Sequence, residues 1–425
     1  HDMNTDTIIL GERCTYSTDC QETGLNNNVL VVGGSGSGKT MSISEPLLLS
    51  TQHSSLIITV TKRRIIEKYK PLFTSRGYLV QDLNYVNPTA GTVGFDLLAY
   101  VRSYQDIRFI AQAIVKASAP KLETHADPYW DNAAISLFCA FIGYVLETKE
   151  HPTFADVLHM HNNLTYSESG SQITTNYDSA FAQLAKKRPS CFAVSCWHSF
   201  CQLPLRTASC VFGTLNTAID SIFTPDIRRA ISSKKTVNFK KLAQRKTVLF
   251  VTTSAVNPAL SCYVNLFYGL AFKQLFEFAE QQPDGKLPIP VRVLCDDFAT
   301  GSQILNFPEY ISIFREKQLS TVILLQSESQ LEAMYGYQQA TTIINNCDTY
   351  VYMGGMDLKT CQNISLRLNT PLDEVLYMPI GQVDIFRRGQ KPIVTTRYAI
   401  EQDALYQSIT RQYEQRIASD KQDRK

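Results

Sequence analysis

The sequence predicts an α/β fold with a largely parallel central sheet, interrupted by an inserted all-α domain. Three observations carry this expectation. Seven short apolar runs end in polar residues and are separated by longer connections, the pattern of parallel strands covered on both faces. The first run leads straight into a glycine-rich loop and then a helical pattern. From about residue 103 to 218 strand-like runs vanish, and apolar residues recur at three- and four-residue steps instead.

In chain order the runs are NVLVV (28–32), SLIITV (55–60), YLVQDL (78–83), TVLFVTT (247–253), VRVLCDD (291–297), TVILLQ (321–326) and TYVYMG (349–354). Helical periodicity covers Met41 to Leu49, Asp106 to Ala117, Asn132 to Leu146, Thr153 to His161 and Tyr177 to Lys187. The expected division is therefore a discontinuous α/β domain, 1–102 with 219–425, and a helical domain, 103–218. The terminal SDKQDRK reads as a frayed tail.

Composition narrows the function classes. With 44% apolar and 19% charged residues, the 425-residue chain is globular and has room for more than one core. A formal charge of +2 excludes wholesale coating of nucleic acid, so any such contact must come from local clusters. Eleven scattered cysteines contain no C-x-x-C pair, which reads as reduced thiols in a cytosolic setting. Cys191, Cys196, Cys201 and His198 are the tightest metal-like group, but five-residue steps turn the thiols away from one another on a helix. His159 and His161 read as polar loop or helix residues rather than ligands. His1-Asp2-Met3 reads as a cloning remnant, and no signal peptide is expected. The apolar stretch Ala133 to Leu146 is short for a membrane span and reads as a buried helix.

The chemistry concentrates in Gly33-Gly34-Ser35-Gly36-Ser37-Gly38-Lys39-Thr40, a complete G-x-x-x-x-G-K-[ST] match between a strand and a helix. Glycines let backbone N–H groups converge on phosphate oxygens, and the helix N-terminus adds positive potential. Lys39 is placed to reach the terminal phosphates of ATP, and the Thr40 hydroxyl to bind Mg²⁺. A glycine-rich turn with an incidental lysine would lack these flanks. Such a loop needs a carboxylate at a neighbouring strand end, and VRVLCDD supplies Asp296 and Asp297. Asp296 is expected to hold Mg²⁺ and Asp297 to orient or deprotonate water; alone, the pair would read equally well as a turn or helix cap. Gln326 ends the next strand, where a carboxamide can sense a γ-phosphate. Arg315 lies upstream on a short helix, facing either solvent or a neighbouring subunit.

Seven segments in order, NVLVVGGSGSGKT…EPLLL, RGYLVQDLN, DPYWDNAAISLFCAFIGYVL, VLCDDFAT, FREKQLSTVILLQSESQLEAMYG, INNCDTYVYMGGMDLKTCQNIS and MPIGQVDIFRRGQKPIVTTRY, resemble the type IV secretion coupling proteins, the TraG-type conjugative DNA-transfer ATPases. The resemblance covers about residues 26 to 400. It implies a RecA-like P-loop NTPase domain carrying an all-α domain, assembled as a homo-hexamer with ATP sites between subunits. Members usually have N-terminal membrane helices, not seen in this sequence, and sit at the cytoplasmic face of the cell membrane. They receive a relaxase bound to single-stranded DNA and pass it to type IV secretion channel components. Position by position, Lys39 and Thr40 match the Walker A residues, Asp296 the first Walker B acid, Gln326 the strand-end glutamine, and Arg315 an arginine thought to reach a neighbour's γ-phosphate. Asp297 stands where glutamate is usual, Val60 and Arg64 where the family has acids, and Asp96-Leu97-Leu98 where it has N-P-L. A catalytic acid displaced by about 1 Å can cost about 100-fold in rate, so turnover is expected to be slow or to depend on DNA and ring assembly.

The densest basic cluster is Lys62, Arg63, Arg64, Lys68 and Lys70, followed by Lys186–Arg188 and Arg228, Arg229, Lys234 and Lys235. Lys62, Arg63 and Arg64 are the leading DNA-binding candidates, set against the plainer reading of a solvated charged face. Two further readings stay open: a nucleotide-gated docking platform with little hydrolysis, and a double-stranded DNA pump of the FtsK type. Without membrane helices the chain is expected to be monomeric.

Overall fold

The computed structural model describes residues 5–117, 127–231, 234–254 and 256–423. Its strands are β1 (Thr7–Gly11), β2 (Cys14–Ser17), β3 (Val29–Val32), β4 (Ser55–Val60), β5 (Leu79–Asn84), β6 (Tyr166–Ser169), β7 (Gln172–Thr175), β8 (Thr247–Thr252), β9 (Val291–Cys295), β10 (Leu319–Leu325), β11 (Thr349–Tyr352), β12 (Gln382–Arg387) and β13 (Ile393–Thr396). One large sheet takes the order β13-β12-β11-β3-β10-β9-β4-β8-β5. Each of the seven apolar runs forms one of its parallel strands, and only β12 and β13 run antiparallel, at one edge.

Both faces of the sheet are buried, which is why the strands read as unbroken apolar runs. On β3, Val29 and Val31 face one core while Leu30 and Val32 face the other. The first core contains residues of helices Glu45–Ser50, Arg63–Ser75 and Ala404–Gln422. The second contains helices Pro258–Glu280 and Glu328–Asn345 and continues without a break into the helices between β5 and β8. An aromatic chain marks the continuity: Phe95 meets Tyr263 at 5.6 Å, Tyr263 meets Phe223 at 5.8 Å, and Phe223 meets Phe154 at 5.2 Å.

The helical stretch departs from expectation in two respects. It contains a hairpin, β6 with β7, so it is not wholly α. Its helices also continue beyond residue 218, through Leu205–Ile222 and Pro225–Ile231. Helix Pro128–Thr148 is long and apolar enough to cross a membrane, yet Ala134, Leu137, Phe138, Ala140, Phe141 and Ile142 along it are completely buried inside the protein. Cys191, Cys196 and Cys201 lie on or beside helix Phe192–Cys201, and no group of three or more potential metal ligands forms among the described residues.

Of the tail expected to fray, Arg424 and Lys425 lie outside the described residues, and Ser419 to Gln422 instead close helix Ala404–Gln422. It packs on helix Arg63–Ser75, where the Lys68 ammonium donates to the Tyr406 hydroxyl at 3.1 Å and Arg416 donates to the Glu67 carbonyl at 2.9 Å. The β12–β13 hairpin and the β1–β2 hairpin gave no alternating apolar signal. β13 is largely exposed, β12 carries a polar residue, Asp384, inside its buried run, and Gly11 fits against Thr395 and Thr396 only because it has no side chain.

Packing within the helical stretch is close enough to test. A Cβ built on Gly143 would fall 2.8 Å from the Cβ of Ala193, where helices Pro128–Thr148 and Phe192–Cys201 cross. Gly143→Val is expected to lower stability by about 1–3 kcal/mol through overpacking. Urea unfolding checks this; an unchanged midpoint would contradict the close crossing.

Candidate functional site

The carboxyl ends of three parallel strands build the phosphate loop. The β3 strand lies between β10 and β11, with Val322 beside Val29 on one side and Thr349 beside it on the other. Where β3 ends, Gly33 N–H donates to the Leu325 carbonyl at 3.0 Å and Gly34 N–H to the Gly354 carbonyl at 2.8 Å. The loop closes on itself through Ser37 N–H to the Gly34 carbonyl at 3.1 Å. Gly36 and Gly38 take φ of 75° and 86°, the left-handed region that glycine enters without a Cβ penalty. Gly33 is fixed by space instead, since a Cβ there would meet Ser37 Oγ at 2.5 Å. A π-type turn, Thr40–Ser44, then starts the helix.

The Lys39 ammonium folds back over the loop and donates to the Gly33 carbonyl at 2.5 Å and the Gly34 carbonyl at 3.1 Å. Burial lowers its pKa, while the charges of Asp296 and Asp297 act in the other direction. The two acids close the facing side. Asp296 N–H donates to Thr59 Oγ1 at 3.0 Å, and that hydroxyl also accepts from Tyr268 at 2.9 Å. Asp297 N–H donates to the Asp296 carboxylate at 2.9 Å. The backbone turns left-handed at Asp297, φ 48°, and again at Ala299, φ 63°. Side-chain-bearing residues rarely adopt this conformation, and where they do it is often beside a site.

Thr40 and Asp296 line one small pocket together with Glu45. A hydroxyl and a carboxylate facing a shared space are a donor set for a hard, oxygen-seeking cation. Glu45 is buried, its Oε1 has no hydrogen-bond partner, and burial raises its pKa against the pull of Lys68. Nothing in the sequence singled it out. Behind the acid pair lies a second, hydroxyl-rich cleft lined by Thr61, Thr253, Ser254, Ser261, Asn265 and Thr300. Single serines and threonines carry no signal until strand ends gather them.

Gln326 is exposed at the end of β10, one residue beyond the carbonyl that holds Gly33. Its N–H donates to Gln330 Oε1 at 3.3 Å, and Gln330 Nε2 donates to Thr300 Oγ1 at 3.1 Å, tying this strand end to the loop after β9. Arg315 does not join the cluster. It is exposed on helix Phe314–Lys317, at the amino end of β10, and donates to the Cys20 carbonyl at 3.3 Å. The length of β10 separates it from Gln326 by roughly 20 Å.

The basic cluster divides. Lys62 and Arg64 are exposed after β4, whereas Arg63 donates to Asp82 at 2.5 Å. Lys68 is buried over the Tyr406 ring, so it is not available at the surface. A cation absent from the expected set also reaches the loop: Arg397 lies directly after β13, and a Cβ on Gly38 would fall 3.1 Å from its Nη1. Only the closing of the sheet brings it there.

Burial, then the neighbouring Asp297 charge, pushes the Asp296 carboxyl up to about 6, against the opposing effects of the Asp297 N–H and Lys39. An unfolded aspartate titrates near ~3.9, so the folded protein holds this proton more tightly. The stability it contributes is complete below about pH 4 and is lost as pH rises through the folded pKa. Asp296→Asn cannot ionise. Relative to wild type it should therefore gain stability between about pH 4 and about pH 7 in metal-free thermal unfolding. A difference that does not change with pH would contradict a buried acid facing a second one.

A family model described as "Type IV secretory system Conjugative DNA transfer" matches residues 3–370. Among solved structures, the bacterial conjugative coupling protein TrwBdeltaN70, in its trigonal form with sulphate, superposes with a TM-score of 0.68 at 17% identity, covering 87% of this chain and 85% of that one. TrwB in complex with the non-hydrolysable analogue ADPNP gives the same four values. TrwB with ADP and Mg²⁺ gives a TM-score of 0.64 at 17% identity, over 87% and 85% of the two chains. VirB4 of Thermoanaerobacter pseudethanolicus matches at 0.55 and 12% identity, over 96% and 99%. No curated protein matches by sequence. The RecA-like P-loop fold is thus shared with TrwB and VirB4, and with a family match spanning most of its length this chain belongs to the conjugative DNA-transfer proteins of type IV secretory systems.

Proposed function

We propose that this chain is the ATP-hydrolysing coupling protein of a conjugative type IV secretion system, driving relaxase-bound single-stranded DNA toward the secretion channel from the cytoplasmic face of the membrane. The observation that carries the reading is the loop itself: Gly33 and Gly34 pinned to two neighbouring strand ends, with Lys39 between the loop carbonyls and the charges of Asp296 and Asp297. TrwB, with the same fold, holds ADPNP in one structure and ADP with Mg²⁺ in another.

Residues Gly33 to Gly38 would wrap the phosphates with backbone N–H groups. Lys39 would exchange its two carbonyl acceptors for phosphate oxygens, a better partner for an ammonium. Thr40 and Asp296 fit Mg²⁺, which when bound neutralises charge on the β- and γ-oxygens. Asp297 would orient the attacking water and take its proton, and Gln326 would hold that water or the γ-phosphate in place. The site gains from a partner. Arg315 faces away from its own loop, so in a ring of six it would supply positive charge to the nucleotide of the next subunit.

Lys62 and Arg64, exposed directly after β4, would follow a DNA backbone, while Arg63 holds the β4–β5 region together through Asp82. Lys62→Ala with Arg64→Ala should lower the salt dependence of single-stranded DNA binding by about two counterions per contacting subunit, as read from affinity at several salt concentrations. Lys39→Ala should lose nucleotide binding. Asp297→Asn should bind ATP but hydrolyse it about 10²–10⁴-fold more slowly, measured with and without single-stranded DNA. No DNA-stimulated turnover in wild type would reject the motor reading in favour of a nucleotide-gated docking platform.

A further inference from the structure

We infer that Arg397 is a nucleotide-contact residue of the same subunit, gripping the α- and β-phosphate end of the bound nucleotide; this rests on the proposed nucleotide site. Three observations converge on it. The first is position. The guanidinium lies so close to Gly38 that a Cβ on that glycine would sit 3.1 Å from Nη1, and the same Cβ would lie 3.7 Å from Ser42 Oγ in the first turn of the helix. Arg397 therefore stands over the junction between loop and helix, where backbone N–H groups gather on phosphate.

The second observation is that the side chain is uncommitted. Among the described residues its guanidinium makes no hydrogen bond and no ion pair, although its backbone is held, N–H to the Gly381 carbonyl at 2.8 Å. The neighbouring Tyr398 is anchored as well, donating to Asp403 at 2.6 Å. An arginine on a fixed backbone, with five free donors beside a phosphate loop, suits a phosphate oxygen better than solvent.

The third observation sets which end of the nucleotide it meets. In the sheet, β3 has β10 and β9 on one flank and β11, β12 and β13 on the other. Gln326, Asp296 and Asp297, the groups suited to the γ-phosphate and its water, all follow the first flank. Arg397 follows β13 on the opposite flank. Its contact should therefore be one that ADP and ATP share.

Binding of Mg·ADP and Mg·ATP to the full chain, measured by calorimetry, tests this with Arg397→Ala, Arg397→Lys and Lys39→Ala. Arg397→Ala is expected to weaken both nucleotides about tenfold or more, to a similar extent, because one charge-assisted hydrogen bond is lost in each. Arg397→Lys should recover part of that loss, and in turnover the alanine variant should raise KM with little change in kcat. Unchanged thermal unfolding without nucleotide is expected of a side chain that holds nothing in the free protein. If Arg397→Ala binds both nucleotides like wild type while Lys39→Ala binds neither, the Arg397 assignment falls and the nucleotide site stands. A loss confined to ATP would overturn the α/β-end assignment. If wild type binds neither nucleotide, the underlying site reading falls, and this inference with it.

Discussion

The structure depends on the two backbone hydrogen bonds that fasten the end of β3 to its neighbours. Gly33 N–H reaches β10 and Gly34 N–H reaches Gly354, two residues past β11, so the loop begins from a fixed floor. Three parallel strands in register are needed to supply that floor, and parallel strands require crossover connections that cover both faces of the sheet. Helical layers on either side follow from the same constraint. Were either flank strand to slip by one residue, the carbonyls would point elsewhere and the glycines would have nothing to turn around.

Electrostatics fills the space that this geometry leaves. A half-buried ammonium, two adjacent carboxyls and a glutamate oxygen without a hydrogen bond lie in this part of the site, and burial shifts Lys39 downward while it shifts Asp296 and Glu45 upward. Each shift records charge that the protein leaves imperfectly compensated. Such an arrangement costs stability in the free protein and suits a site that awaits a highly charged ligand. The left-handed backbone at Asp297 has the same character, since it turns the acid at the strand end through a conformation aspartate adopts at some cost.

The helices between β5 and β8 are joined to this machinery by packing. Asp96 accepts from Leu98 N–H at 2.9 Å and from Phe154 N–H at 3.2 Å, so one buried carboxylate links the exit from the sheet to a helix more than fifty residues later. Lys273 makes a 2.6 Å contact with Asp106 and a further ion pair with Glu277, tying helix Tyr104–Ala117 to helix Pro258–Glu280. The start of the second helix borders the hydroxyl-rich cleft beside the acids, through Ser261 and Asn265. The apolar core is thus continuous from the helical layer to the sheet that carries the site.

Local pattern along the chain marks the seven parallel strands, the phosphate loop and the pair of acids. Strands buried on both faces leave continuous apolar runs, and backbone that must enter left-handed space leaves glycines at fixed spacing. The β1–β2 hairpin, β13 and the hairpin among the helices escaped because short, partly solvated strands leave weak alternation, and β12 because its buried run is broken by the polar Asp384. Whether Arg63 is free or paired with Asp82, whether Lys68 is exposed or covered by Tyr406, and which strand brings Arg397 to Gly38 were decided only by tertiary structure. These contacts join residues 19, 338 and 359 positions apart, and sequence has no local mark for partners that meet only when the sheet closes.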